Sequence, residues 1–120
     1  MRKIINIFLL LTTILVAETI TGKVISVTDG DTIKILDEKN KVYKIRLNDI
    51  DAPEKKQAFG NKSKENLSKY IAGKNVRVEY YKLDRYKRIL GTVYFKDKDI
   101  NKQQIIDGYA WVYKKYSKNN

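Results

Sequence analysis

Three short polar stretches set carboxylates, in two of them beside arginines, close together in this sequence: DGDT (Asp29–Thr32), RLNDIDAPE (Arg46–Glu54) and DRYKR (Asp84–Arg88). The chain contains no histidine and no cysteine. That removes imidazole acid–base catalysis, thiolate nucleophiles and the usual zinc ligand sets. What remains is carboxylate, guanidinium, ammonium, phenol and hydroxyl, with a hard cation held by oxygen; Ca2+ and Mg2+ are the physical candidates.

Taken singly, each stretch has a plainer meaning. Asp29-Gly30 between apolar runs is ordinary hairpin chemistry, although a turn has no use for Asp31, whose carboxylate stands where the returning strand begins. Arg46 projects away from the apolar face of its strand, and Asp51 and Glu54 flank a stiffening proline. An arginine and two carboxylates around a loop also describe a surface ion-pair set of little energetic weight. Asp84–Arg88 alone reads as a solvated basic turn.

The elements that must position these groups follow from pattern. Val24–Val27 and Thr32–Leu36 form a hairpin about Asp-Gly. Asp37–Lys41 is a second turn leading into Val42–Leu47, where Tyr43, Ile45 and Leu47 share a face. A helix is predicted with Asn61 as N-cap, Leu67, Tyr70 and Ile71 inward, and Gly73 as its stop. Val76–Tyr81 and Ile89–Phe95 alternate as strands, with Gly91 marking a bend or a close backbone approach. A second helix is predicted from an Asn101 N-cap, with Gln104 closing a capping box, Ile100 and Ile105 forming a staple, and Gly108 ending it. Five short strands with a helix after the third is the order of a mainly β (α+β) five-stranded barrel of the OB type.

The opening MRKIINIFLLLTTILVA has a basic start and an apolar run from Ile4 to Val16. The run is shorter than the roughly 20 residues a membrane span needs. It reads as a signal peptide over residues 1–17, followed by one domain over 18–120 that is secreted or periplasmic and not inserted in the membrane. Formal net charge is +11; without Arg2 and Lys3, 23 basic residues against 14 acidic ones leave +9. With nine tyrosines and a pI near 9.7, nucleic acid is the leading partner, and an anionic membrane or wall polymer the alternative.

Together the three stretches are more specific than apart. DGDT, then R-x4-D-A-P-E, then D-R-Y-x-R resembles the staphylococcal nuclease (thermonuclease) family, secreted Ca2+-dependent enzymes on an OB barrel, and the GYAW segment near the end is similar too. The resemblance spans about Gly22 to Tyr116. It implies Asp31 and Asp51 as direct Ca2+ ligands, with the backbone carbonyl of Ala52. It further implies Thr32 near the ion, Asp29 behind the ligands, Glu54 acting on the attacking water, and Arg46 and Arg88 gripping the scissile phosphate. Tyr86 and Asp84 fall on the substrate side.

By the same resemblance the chain is a monomeric nuclease cutting DNA and RNA with little sequence preference, favouring single strands and leaving 3′-phosphate ends. The competing expectation is a non-catalytic OB module that only binds nucleic acid. One departure stands out: Lys87 occupies a position where the family usually has Gly. If that position needs a left-handed backbone, Lys carries a penalty of about 1 kcal/mol or more.

Overall fold

The computed structural model describes residues 16–114. Nearly all of the expected signal segment and the terminal SKNN lie outside the described residues. Among the described residues no helix is long and apolar enough to cross a membrane.

The first hairpin joins β1 (Glu18–Asp29) to β2 (Thr32–Leu36), and β3 (Val42–Leu47) continues the antiparallel sheet. β1 is longer than its alternation suggests because it serves two partners. Its first half pairs with β5 (Asn75–Leu83) from Glu18↔Tyr80 to Lys23↔Asn75, and its second half pairs with β2. Two register shifts, between Val24 and Ser26 and between Val27 and Asp29, bend it from one partner to the other. β5 pairs with β6 (Ile89–Phe95), and a parallel ladder of Ile45↔Ile89, Arg46↔Leu90 and Leu47↔Gly91 closes the sheet on itself. The result is the expected five-stranded OB barrel, formed by β1, β2, β3, β5 and β6. Inward positions such as Ile33, Ile35, Ile45, Leu47, Val78 and Val93 fill it and are fully buried.

Two-residue strands complete the architecture: β4 (Ile50–Asp51) pairs with β8 (Trp111–Val112), and β7 (Lys98–Asp99) extends the sheet beside β6. Gly91 is a point of close approach, as expected: a Cβ there would fall 2.6 Å from Val78 Cγ1.

Helix α1 (Gly60–Ile71) turns Leu67 and Ile71 into the core and ends before Gly73, at φ +75°. Its start differs from expectation. Phe59, in a left-handed conformation and with no side-chain cap, precedes it, and Asn61 lies exposed in the first turn. The entry is fixed by packing: Gly60 presses so close to the Glu54 carbonyl that a Cβ would fall 1.9 Å from it.

Helix α2 (Ile100–Ile106) is likewise capped two residues before the predicted position. Asp99 is the N-cap and accepts from Lys102 N at 2.9 Å. No Asn101–Gln104 capping box forms, because both side chains are buried and serve the rest of the fold. Asn101 Oδ1 accepts from Val93 N, while its Nδ2 donates to the carbonyls of Asn48 and Gly91. Gln104 Nε2 donates to Gly30 O at 2.8 Å and Ser63 O at 3.2 Å, and its Oε1 accepts from Asn66 Nδ2 at 2.7 Å. Ile100 and Ile105 do pack into the core, and Gly108, at φ +85°, follows the helix.

Candidate active site

The DGDT turn is built around Gly30 and Asp31, since Asp29 and Thr32 already pair across the hairpin. Asp31 thus sits in the turn itself, not at the start of the return strand. Gly30 is required by proximity: a Cβ there would fall 1.8 Å from Ser63 Oγ. Held from behind through the Gln104 bond to Gly30 O, the turn presents Asp31 to the end of β3, where Leu47 N donates to Asp31 O at 2.8 Å.

The Asp31 carboxylate is 6% exposed and fully engaged. Oδ1 accepts from Thr32 Oγ1 at 2.8 Å, Oδ2 accepts from Ala52 N at 2.9 Å, and Arg46 Nη2 lies 3.5 Å from Oδ2. Burial pushes its pKa up; the Arg46 charge, the Thr32 hydroxyl and the Ala52 amide oppose this without cancelling it. The same Nη2 reaches Asp51 Oδ1 at 3.2 Å. Arg46 Nη1 donates to the carbonyls of Leu47 at 2.8 Å and Ile50 at 2.9 Å, which pins the turn between β3 and β4. Arg46 is therefore off the apolar face, as expected, yet buried.

Asp29 faces the loop after β4, accepting from Lys55 N at 3.0 Å. With the Ala52 amide on Asp31, two carboxylates of one hairpin hold the Ala52–Lys55 segment by its backbone. Glu54 is exposed on that segment, its own amide donating to Gln57 Oε1 at 2.6 Å.

The third stretch closes the β5–β6 turn around Asp84. Asp84 Oδ1 accepts from the amides of Tyr86 and Arg88 at 2.8 and 2.9 Å, and Oδ2 accepts from Arg88 Nε at 2.7 Å. Burial would raise the Asp84 pKa, but the Arg88 and Tyr86 amides and the Arg88 guanidinium outweigh it, leaving it below the usual value. The exposed Tyr86 ring has Arg85 and Arg88 over it, at 5.3 and 5.6 Å from its centre. Lys87 has φ +66°, so this turn does require a left-handed residue.

The closing ladder relates the two arginines. Leu90 pairs with Arg46, and Arg88 lies two residues earlier in the chain, in the turn just before β6 begins. At the other end of β3, a groove of about 530 Å³ runs between its first residues and the β5–β6 turn, with Tyr43, Tyr80 and Tyr86 and lysines 41, 44 and 87 among its walls. Trp111, on a strand too short for any periodicity to announce, pairs directly with Asp51.

The donors suit a hard cation. Asp31 Oδ2 and Asp51 Oδ1 share one positive partner, Arg46 Nη2, so two carboxylates of the oxygen type that hard cations prefer lie close together. Among the described residues no three acidic side chains form a group able to hold a metal ion; the two carboxylates that converge are Asp31 and Asp51, on either side of Arg46.

A small OB barrel with paired carboxylates and a buried arginine at one end of its closing strand pair defines a recognisable class. The model of staphylococcal nuclease homologues matches residues 44–120, and the chain belongs to that family. It is 44% identical over 122 residues to an uncharacterized endonuclease of Haemophilus influenzae, covering 94% of this chain and 68% of that protein. An uncharacterized endonuclease of Escherichia coli is 48% identical over 99 residues (82% of this chain, 64% of that protein). The micrococcal nuclease of Shigella flexneri is 37% identical over 106 residues, with coverages of 81% and 60%. The chain thus spans less than two thirds of the length of the latter two.

Proposed function

We propose that this protein is a Ca2+-dependent phosphodiesterase that cuts DNA and RNA with little sequence preference and leaves 3′-phosphate ends. The observation that carries this reading is the Asp31–Arg46–Asp51 cluster, in a chain of this family. Asp31, Asp51 and the Ala52 carbonyl would hold the ion. Bound there, Ca2+ supplies Lewis-acid charge stabilisation and a template for water and phosphate.

The chain's own residues do the remainder. Arg46 and Arg88 offer fork-shaped donors that match phosphate oxygens and strengthen as charge develops on them. Glu54, exposed and free of the buried cluster, takes the proton of the attacking water. Asp84 acts by holding Arg88, and Tyr86, beside Arg85 and Arg88, contacts a neighbouring phosphate. The tyrosine- and lysine-walled groove favours unpaired strands through stacking and charge. We further propose that the protein acts as a monomer and is exported through residues 1–17.

Purified protein is incubated with denatured DNA, in Ca2+ or in EGTA. Cleavage in Ca2+ that EGTA stops is the expected result, with Mg2+ a poor substitute because of its tighter octahedral shell. Undiminished cleavage in EGTA would overturn the metal assignment. Binding without cleavage in either condition would favour a non-catalytic OB module.

A further inference from the structure

Trp111 is the only tryptophan in the chain and is half exposed, at 51%. Leaving that much indole in water forgoes the burial that usually accounts for this residue's presence. Its position is specific. β8 pairs antiparallel with β4, setting Val112 opposite Ile50 and Trp111 opposite Asp51. Residues directly opposite share a face, with Cβ atoms about 5 Å apart. The Ile50 side chain is in the core, whereas Asp51 turns to Arg46. Trp111 therefore stands on the Asp51 face, beside the carboxylate assigned to the ion and one residue contact away from Arg46.

β3 relates this indole to the tyrosine groove. The groove lies at the Val42–Lys44 end of the strand, Arg46 follows, and Asp51 with Trp111 comes after the strand has ended. Aromatic surface is thus found at both ends of a path whose middle is the buried arginine.

We propose that Trp111 is a stacking platform for an unpaired nucleobase of the nucleotide adjoining the phosphate held at Arg46, on the side opposite the Tyr86 groove. This rests on the reading of the cluster as a nucleic-acid phosphate site. Stacking on a flat aromatic face is tolerant of base identity, which suits a nuclease of little sequence preference. It also requires the base to leave a duplex.

The full chain, held in EGTA to prevent cutting, is titrated with a short single-stranded oligodeoxynucleotide and with an abasic oligonucleotide of the same length. Binding is followed by anisotropy of a label on the oligonucleotide, and Trp111 by its own emission, which no other tryptophan contaminates. The base-bearing strand should bind more tightly and quench the emission in parallel with the anisotropy change, while the abasic strand binds without quenching. Trp111→Ala should weaken the base-bearing strand at least about fivefold, leave abasic affinity unchanged, and be partly rescued by Trp111→Tyr. If Trp111→Ala does not fold, emission from the parent chain decides. Unaltered emission while the base-bearing strand binds, or equal loss of both strands in Trp111→Ala, overturns the platform alone. If neither strand binds, the nucleic-acid reading falls and the platform with it.

Discussion

Arg88 is held by Asp84 through a 2.7 Å bond from its Nε, within a turn whose Tyr86 and Arg88 amides point at the same carboxylate. The Asp84 side chain is 1% exposed and that of Arg88 is 24% exposed. A buried anion thus orients the guanidinium through its Nε while the Arg88 side chain stays partly exposed. The phosphate role assigned to Arg88 then depends on a residue that need not touch the substrate.

Arg88→Lys should lower the maximal rate about 100- to 1,000-fold with the domain still folded, because a single ammonium cannot replace a fork donor at a developing charge. Asp84→Asn should lower it about 10- to 100-fold by misplacing the fork. The double variant should be little worse than Arg88→Lys alone. Additive losses, measured as initial rates on denatured DNA, would mean that Asp84 acts independently of Arg88.

Arg46→Lys should lose rate to a similar degree, but it should also lose stability. Arg46 Nη1 serves two buried carbonyls, of Leu47 and Ile50, that lysine cannot reach in the same geometry. A loss of about 1–3 kcal/mol in urea melts is expected, against little change for Arg88→Lys.

A Ca2+ titration of initial rate should divide the carboxylates by role. Asp31→Ala and Asp51→Ala should raise the Ca2+ concentration needed for half-activity, with some rescue at high Ca2+. Glu54→Gln should reduce the maximal rate about 100-fold or more, without rescue. If excess Ca2+ restores Glu54→Gln and not the aspartate variants, the assignments are reversed.

Lys87 adopts φ +66° where a glycine would be unstrained. Lys87→Gly should stabilise the domain by roughly 0.5–1 kcal/mol, the steric relief of about 1–2 kcal/mol being partly offset by the entropy glycine adds to the unfolded chain. Lys87→Ala keeps the Cβ and should show no such gain. Paired thermal melts of the two variants distinguish backbone relief from loss of the lysine charge.

Asp84 and Asp107 are both held below the ordinary value of 3.8. For Asp107, Asn66 Nδ2 is the main cause, and the Tyr70 hydroxyl and Gln103 amide add to it against burial. A depressed folded pKa gives stability that is present above 3.8 and lost as pH falls through the folded value. Stability measured from pH 6 down to pH 2 should therefore fall less steeply in Asp107→Asn than in the parent.

Much of the barrel was legible because its strands alternate cleanly and its punctuation is strong. Ile89–Phe95 and Thr32–Leu36 run as predicted, and Gly73 and Gly108 follow the two helices. Helix starts were not legible, because distant groups set them. Gly60 answers to the Glu54 carbonyl, and Asn101 and Gln104, good capping residues locally, satisfy buried groups elsewhere. At the site, the residue types and the direction of Arg46 could be read from the chain. Its burial between Asp31 and Asp51 and the Trp111–Asp51 pairing could not, since both arise from contacts made only when the barrel closes.

That closure has a consequence for how the molecule fails. The parallel seam between β3 and β6 spans only three residue pairs, and it is also what brings the strand bearing Arg46 alongside the one that Arg88 precedes. A chain whose seam has parted still has its hairpins and helices but no shared grip on a phosphate. Turnover would then report on the seam before circular dichroism does, and inactivation on mild heating or in low denaturant should precede the loss of secondary structure.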